Sequence, residues 1–392
     1  MVSGTEVVKM MDIIEFSLND KVLLRDFVEF PFKLYQGEKH WVPKLKMDYL
    51  GASLLGKVGM FEEQFPFHQD AETVFLMVKQ EDQILATMTV SINHTYNDYQ
   101  QQNVGFFGFF ECVNKVKVAQ FLFEHAKAWL KTKGIHSFIG PYNFTYNHTC
   151  GVLVKGFDLS PYVEMTYNFD YYDALLHSVG LKKAKDLLSF HVPVVEQSRE
   201  ARYSKLAQRI LKRNQITIRP VSLKNFKQDI RTFVDIYNEA WEDLWTFVPL
   251  SEQEADIIAD SIKPIIIPEM FLFAEKDGVP IGVSGLIPNA NEVLALTDNS
   301  FGQSDVYRIL NLLFKKSRIK SARLMAFGVR KKFRKKGLEA ALLSHAQQKL
   351  SGCGFSQCEV GWVHEDNQLI LGTIESSKGV HYKTHRIYSG SC

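Results

Sequence analysis

The chain has 392 residues, 46% of them hydrophobic and 23% charged, with a net charge of only +2. That balance is globular and argues against a protein that coats nucleic acid. At this length two domains are expected, because a single core stops growing near about 250–300 residues. Five cysteines (Cys112, Cys150, Cys353, Cys358, Cys392) form no Cys-x-x-Cys pair, so reduced thiols in a cytoplasmic protein are expected, with no disulfide framework and no metal site. The N-terminal stretch lacks the long apolar core of a secretory signal. No run reaches the ~20 apolar residues of a membrane helix; the longest, 265–274, is cut by Pro268 and Glu269.

Residues 73–92 read as two alternating strands turning at Glu81-Asp82. A strand over 103–110, a helix near 118–132 and a further strand after Gly134 follow. Residues 140–151, rich in Asn, Tyr and Thr, read either as a loop that holds substrate polar groups or as a turn-rich connection. Residues 171–190 look helical and close the first half, and 192–219 form a charged helical connector. The stretch 237–256 is aromatic and acidic. Trp241 and Trp245 share a helix face there, and Glu239, Glu242 and Asp243 are placed to attract a cationic amine. A hairpin over 270–288 turns at Asp277-Gly278. A strand over 321–329, a basic run over 330–336, a helix ending near Gly354, a strand over 355–363 and a helix-like stretch over 367–389 complete the chain.

The segments 107–134 and 327–354 align without gaps at an offset of 220: Phe107-Gly108 with Phe327-Gly328, Leu122 with Leu342, His125-Ala126 with His345-Ala346, Gly134 with Gly354. Both read strand, loop, helix, glycine, strand. The expected fold is therefore α+β with two lobes, residues 1–195 and 219–392, joined by a helical connector over 196–218.

In the second lobe all residues from Arg330 to Lys336 except Phe333 are basic, and Gly337 opens an apolar helix. A helix start leaves about four N–H groups unpaired, and glycine lets a ligand approach the backbone. The run is thus a phosphate cradle or a solvated basic loop, and its place between strand and helix favours the cradle.

Arg334-Lys335-Lys336-Gly337-Leu338-Glu339 resembles the Arg/Gln-x-x-Gly-x-Gly/Ala signature of the GCN5-related N-acetyltransferase (GNAT) superfamily, with Glu339 where a small residue is usual. Residues 358–367 resemble that fold's fifth strand running to Asn367, and 376–388 its closing segment. The resemblance covers 219–389 well and 13–191 more weakly, and implies tandem GNAT-like lobes with a degenerate N-terminal one. It implies acetyl-CoA or another acyl-CoA as cofactor, held by Gly328, Val329, Arg334, Lys335, Lys336, Gly337, Leu338 and Asn367. A backbone N–H near Gly328-Val329 would serve the developing oxyanion. Among Glu359, Glu365 and Asp366, Glu365 is the first choice of base. Ile374 stands where a proton-donating tyrosine is common, so Tyr382 or Tyr388 would replace it, Tyr382 being the choice. Trp241, Trp245 and Glu239 would receive the acceptor. His364, His381 and His385 imply no metal site.

In the first lobe Lys117 replaces Gly337 and Glu111 is present, so that lobe is expected not to bind CoA in the same way. The expected activity is N-acyl transfer, with acetyl as the acyl group, to a small-molecule or peptide amine, with no membrane or nucleic-acid partner. The alternatives are a non-catalytic CoA or phospholigand-binding protein, or an aminoacyl transferase that uses a carrier RNA.

Overall fold

A computed structural model describes residues 10–194, 197–295, 304–334 and 336–392. They form two compact units that interleave along the chain. One holds residues 10–154, 168–185 and 386–392; the other holds 155–167 and 186–385. The interleaving, which a cut by sequence order does not convey, arises because two long strands each run from one unit into the other. The strands are β1 (Asp12–Phe16), β2 (Ala71–Gln80), β3 (Gln83–Asn93), β4 (Gly105–Cys112), β5 (Ser137–Gly140), β6 (Val152–Lys155), β7 (Lys182–Pro193), β8 (Ile216–Pro220), β9 (Phe271–Lys276), β10 (Val279–Pro288), β11 (Ser321–Val329), β12 (Gln357–His364) and β13 (Val380–Ser391). The two long ones that cross are β7 and β13; the short β6 ends at a further crossing, between Val154 and Lys155.

In the first unit β1, β2, β3 and β4 pair antiparallel in order, and β4 then pairs parallel with β5. The helix Val116–Thr132 makes that parallel crossover, burying Val118, Ala119, Leu122, Phe123, Ala126 and Leu130 at helical spacing. In the second unit β8, β9, β10 and β11 pair antiparallel, and β11 pairs parallel with β12 across the helix Leu338–Gly352. Asp277 and Gly278 both have positive φ (52° and 76°), which a two-residue hairpin turn of this hand requires. The units thus share one order of ladders: three antiparallel, then one parallel. Two expected helical stretches are only half helical. The helix Tyr172–Ser178 stops before Gly180 (φ 85°) and the chain continues as β7; the helix Gln368–Ser376 gives way to β13.

The first unit fills the gap beyond its parallel pair with its own chain. β4 and β5 pair only at Gly105–Phe138 and Phe106–Ile139. Beyond that, Tyr142 N–H donates to Phe107 O (2.8 Å) and Phe109 N–H donates to Asn143 Oδ1 (2.7 Å). The segment 140–151 is therefore a plug between diverging strands. A Cβ on Gly108 would lie 1.8 Å from Tyr142 O, a backbone atom that cannot swing aside. Gly108→Ala is expected to destabilise this unit by about 3 kcal/mol through overpacking, read by urea unfolding; an unchanged midpoint would show that the plug is not tightly seated.

Candidate active site

In the second unit the same divergence is present, and among the described residues nothing hydrogen-bonds the freed N–H groups of β11. β11 and β12 pair from Ser321–Gln357 to Leu324–Val360 and no further, although β11 continues to Val329 and β12 to His364. Arg330 N–H donates to Ile281 O (2.9 Å), which sets the phase of the β10–β11 ladder. Gly328, opposite Val283, faces β10, whereas Phe327 and Val329 turn N–H and C=O toward the gap. Their carbonyls are taken: Trp241 Nε1 donates to Phe327 O (3.0 Å) and Arg334 Nε to Val329 O (2.9 Å). Their N–H groups point the same way, into the gap. By the repeat offset, Phe327 and Val329 correspond to Phe107 and Phe109, of which Phe107 holds the plug through its C=O and Phe109 through its N–H. Gly328 packs under the helix Phe226–Trp241, where a Cβ would lie 2.7 Å from Ala240 Cβ.

The basic run follows β11 directly, but three of its cations turn toward the C-terminal end of the helix Phe226–Trp241. Arg330 pairs with Glu239, and Lys331 pairs with Glu242 and with Asp243 (3.1 Å). Arg334 donates to Ala240 O (2.9 Å), closing the end of that helix where cations are favoured. Glu239 also accepts Lys331 N–H (2.9 Å), so its carboxylate is engaged within the loop rather than turned to an acceptor. Lys332 and Lys336 remain exposed beside the Phe333 ring, while Lys335 lies outside the described residues. Gly337 has φ 79°, and a Cβ there would meet Ile210 Cδ1 at 3.0 Å. The left-handed conformation favours glycine at this position, whereas the contact is with the end of a flexible side chain. Leu338 is buried in the core and Glu339 is half-buried in the first helical turn.

The vertex of the gap holds a row of polar side chains across neighbouring strands. Arg323 on β11 pairs in register with Glu359 on β12, which pairs in register with His191 on β7. Register partners leave a sheet on the same face. Arg323 Nε lies 2.9 Å from Glu359 Oε2, both side chains being almost wholly buried. The approach is off the hydrogen-bond direction, so the attraction is chiefly charge on charge. The other guanidinium nitrogens donate to Val163 O (2.7 Å), Glu164 O (2.6 Å) and Gly361 O (3.0 Å). Burial raises the Glu359 carboxyl to about 7, against the opposing pull of Arg323 and Ser189. The His191 ring stacks on Tyr382 at 3.6 Å and is lowered to about 4 by burial, with Lys383 adding to the effect. It is therefore neutral at pH 7. Burial, then Glu359, push the Tyr382 hydroxyl far above its usual range.

Residues 156–166 cover this row. Lys383 Nζ donates to Gly156 O and Leu159 O, His385 Nε2 bonds Thr166 O (3.0 Å), and Tyr382 Oη approaches Met165 Sδ (3.7 Å).

The remaining predicted residues fall around the gap. Trp241 stands against β11, and Trp245 lies edge-on to His364 at the end of β12 (6.2 Å), so the two tryptophans reach both diverging strands. Glu365 Oε1 accepts Asp186 N–H (3.0 Å), a structural clasp between β12 and β7. Asn367 caps the helix Gln368–Ser376 by accepting Ile370 N–H (3.2 Å). Sequence reading missed Arg323 and His191 and passed over Glu359 in favour of Glu365. A signal was present: Arg323 and Glu359 each interrupt an apolar strand two residues after its first residue. Among the described residues no group of three or more metal-ligating side chains comes together.

No family model matches the chain. It is 28% identical to the bacterial ceramide synthase of Caulobacter vibrioides (strain NA1000 / CB15N) over 373 residues, covering 93% of this chain and 94% of that one. It is 26% identical to protein YghO of Escherichia coli (strain K12) over 396 residues, covering 98% and 96%. Among solved structures, a tandem GNAT protein from the clavulanic acid biosynthesis pathway matches with a TM-score of 0.54 at 9% identity, over 97% of this chain and 98% of that one. The GCN5-related glucosamine N-acetyltransferase region of a fungal multi-domain GH3 β-N-acetylglucosaminidase gives 0.52 at 10% identity, over 97% of this chain and 38% of that one. The chain has the tandem fold of the GCN5-related N-acetyltransferases.

Proposed function

We propose that the chain transfers an acyl group from acyl-CoA to the primary amine of a long-chain amino alcohol, with the chemistry in the second unit. The observation that carries the acyl-transfer reading is that the backbone donors of Phe327 and Val329 face a gap between diverging strands and, among the described residues, bond nothing there. The name of the Caulobacter relative supports a lipid amine over a small or peptide amine, and a longer acyl group over acetyl.

Acyl-CoA, when bound, supplies the activated thioester carbonyl and a thiolate leaving group. The left-handed Gly337 and the first amides of the following helix fit its phosphates, with Lys332 and Lys336 beside them. Lys335 belongs to the same loop by sequence. Val329 N–H stabilises charge on the carbonyl oxygen as the amine adds, an interaction strongest in the transition state, while Phe327 N–H, about 7 Å away along the strand, is left for a different acceptor. Glu359, one register pair from the vertex, takes up the amine's proton; with its carboxyl at about 7 it is part ionised at neutral pH. The Tyr382 phenol stays protonated and serves as proton donor on the same face. Trp241 and Trp245 flank the acceptor's entry. The ion pairing of Arg330 and Lys331 leaves the loop poorly suited to a nucleic-acid backbone.

Incubation with long-chain acyl-CoA and a long-chain amino alcohol is expected to yield the amide and free CoA thiol by mass spectrometry, with far less product from a short polyamine or a peptide. Preference for the small amines would overturn the acceptor assignment.

Glu359→Gln is expected to lower kcat/KM by about 10²-fold. Wild-type kcat/KM should rise with pH through about 7 and the variant should lose that limb. The same raised carboxyl makes wild-type stability fall as pH rises from about 4.5 to about 7, since the folded state binds the extra proton there. The variant should lack this fall in thermal melts. Wild-type kcat/KM in the variant would remove Glu359 from the chemistry.

Acyl-CoA at about 100 times its Kd should stabilise the wild type by about 2.7 kcal/mol, and Gly337→Asp should abolish the gain. Full binding by that variant would place the phosphates elsewhere.

A further inference from the structure

The first unit joins β3 to β4 through residues 94–104, whereas the second joins β10 to β11 through 289–320. The longer connection carries the helix Asp305–Lys315, and that helix is inside out. Its exposed residues are apolar: Phe314 (82% exposed), Val306 (67%), Leu310 (48%), Leu313 (46%) and Tyr307 (39%). Its buried residues include Arg308 and Asn311. At 100° per residue the five apolar side chains fall within about 120° of the helix circumference, opposite the buried face. A solvent-facing apolar stripe of this size is uncommon on an isolated soluble surface.

Its surroundings say what covers it. Lys315 ends the helix, and Lys316, Arg318 and Lys320 follow on exposed backbone. Among the described residues no carboxylate pairs with these four side chains, in contrast to Arg330 and Lys331. An apolar arc with a rim of unneutralised cations matches the boundary between acyl chains and anionic headgroups, and matches a protein partner less well, since an interface core is poor in lysine. The helix is too short to span a bilayer, and no described helix is long and apolar enough to do so.

We infer that the helix Asp305–Lys315 docks the protein on an anionic membrane surface, with Val306, Leu310, Leu313 and Phe314 entering the acyl boundary and Lys316, Arg318 and Lys320 meeting phosphate headgroups. The inference rests on this surface alone and stands apart from the proposed reaction. Helix and basic loop lie beyond opposite ends of β11, so docking leaves the loop about 30 Å away at the strand's rise per residue.

The test is co-sedimentation of the full chain with vesicles of phosphatidylglycerol mixed with phosphatidylcholine, and with phosphatidylcholine alone. The wild type is expected to bind the anionic vesicles preferentially, less so as salt increases. Leu310→Asp with Phe314→Asp is expected to reduce binding by at least about tenfold, with an unchanged melting temperature. Lys316→Glu with Arg318→Glu should remove the preference for anionic lipid. Absence of wild-type binding, or equal binding by the double aspartate variant, would overturn the proposal. A large fall in melting temperature in that variant would also overturn it, by showing that the chain itself covers the stripe. So would a wild-type dimer that the variant converts to monomer.

Discussion

Two parallel strands that stop hydrogen-bonding partway along their length set the character of the second unit. Every backbone group freed by the divergence of β11 and β12 needs a partner. The carbonyls of Phe327 and Val329 find theirs in Trp241 and Arg334, and the N–H groups remain directed at the gap. The vertex is held by Arg323 and Glu359, buried together. An ion pair away from water is stable only when its remaining donors are satisfied. Arg323 meets that condition in part, through the carbonyls of Val163, Glu164 and Gly361, the first two of which tie down the covering segment, while its Nε and the Glu359 oxygens make no hydrogen bond. Opening, vertex and cover are therefore one arrangement.

The first unit shows the same arrangement closed. Its β4–β5 gap is occupied by Tyr142 and Asn143, and its buried acid, Glu111, accepts hydrogen bonds from Tyr172 Oη (2.6 Å) and Tyr35 Oη (2.7 Å). Burial raises Glu111 to about 7 even so. A carboxyl enclosed by two tyrosines in a filled gap serves the core. The contrast gives the basic run a clearer meaning too. Arg330, Lys331 and Arg334 tie the end of β11 to the end of the helix Phe226–Trp241, and the glycine after them, more than their charge, shapes the turn into the next helix.

The sequence made the repeated strand–helix–strand units legible because local patterns decide them: the Asp277-Gly278 turn, the apolar face at Leu338, Ala341 and Leu342, and the glycines that end helices. It misread residues 182–190 and 380–389 as helical, because consecutive residues such as Asp186-Leu187 and Lys383-Thr384-His385 are buried in succession and break the simple alternation that marks an exposed-face strand. The glycine turn into the helix Leu338–Gly352 was visible, being contiguous in sequence. The polar row was not, because His191, Arg323, Glu359 and Tyr382 meet only through the register of β7, β12 and β11 and a ring stacked from β13. The plug was equally hidden: an Asn-rich loop reads the same whether it holds a ligand or another strand.

The central claim is that the gap in the second unit receives acyl-CoA against β11 while the gap in the first is already filled. Amide hydrogen exchange resolved to single residues, with and without a long-chain acyl-CoA, measures this directly. New protection is expected at Phe327, Val329 and the amides after Gly337, with Phe107–Phe109 unchanged. Protection at Phe107–Phe109, or none along β11 under saturating ligand, would contradict it.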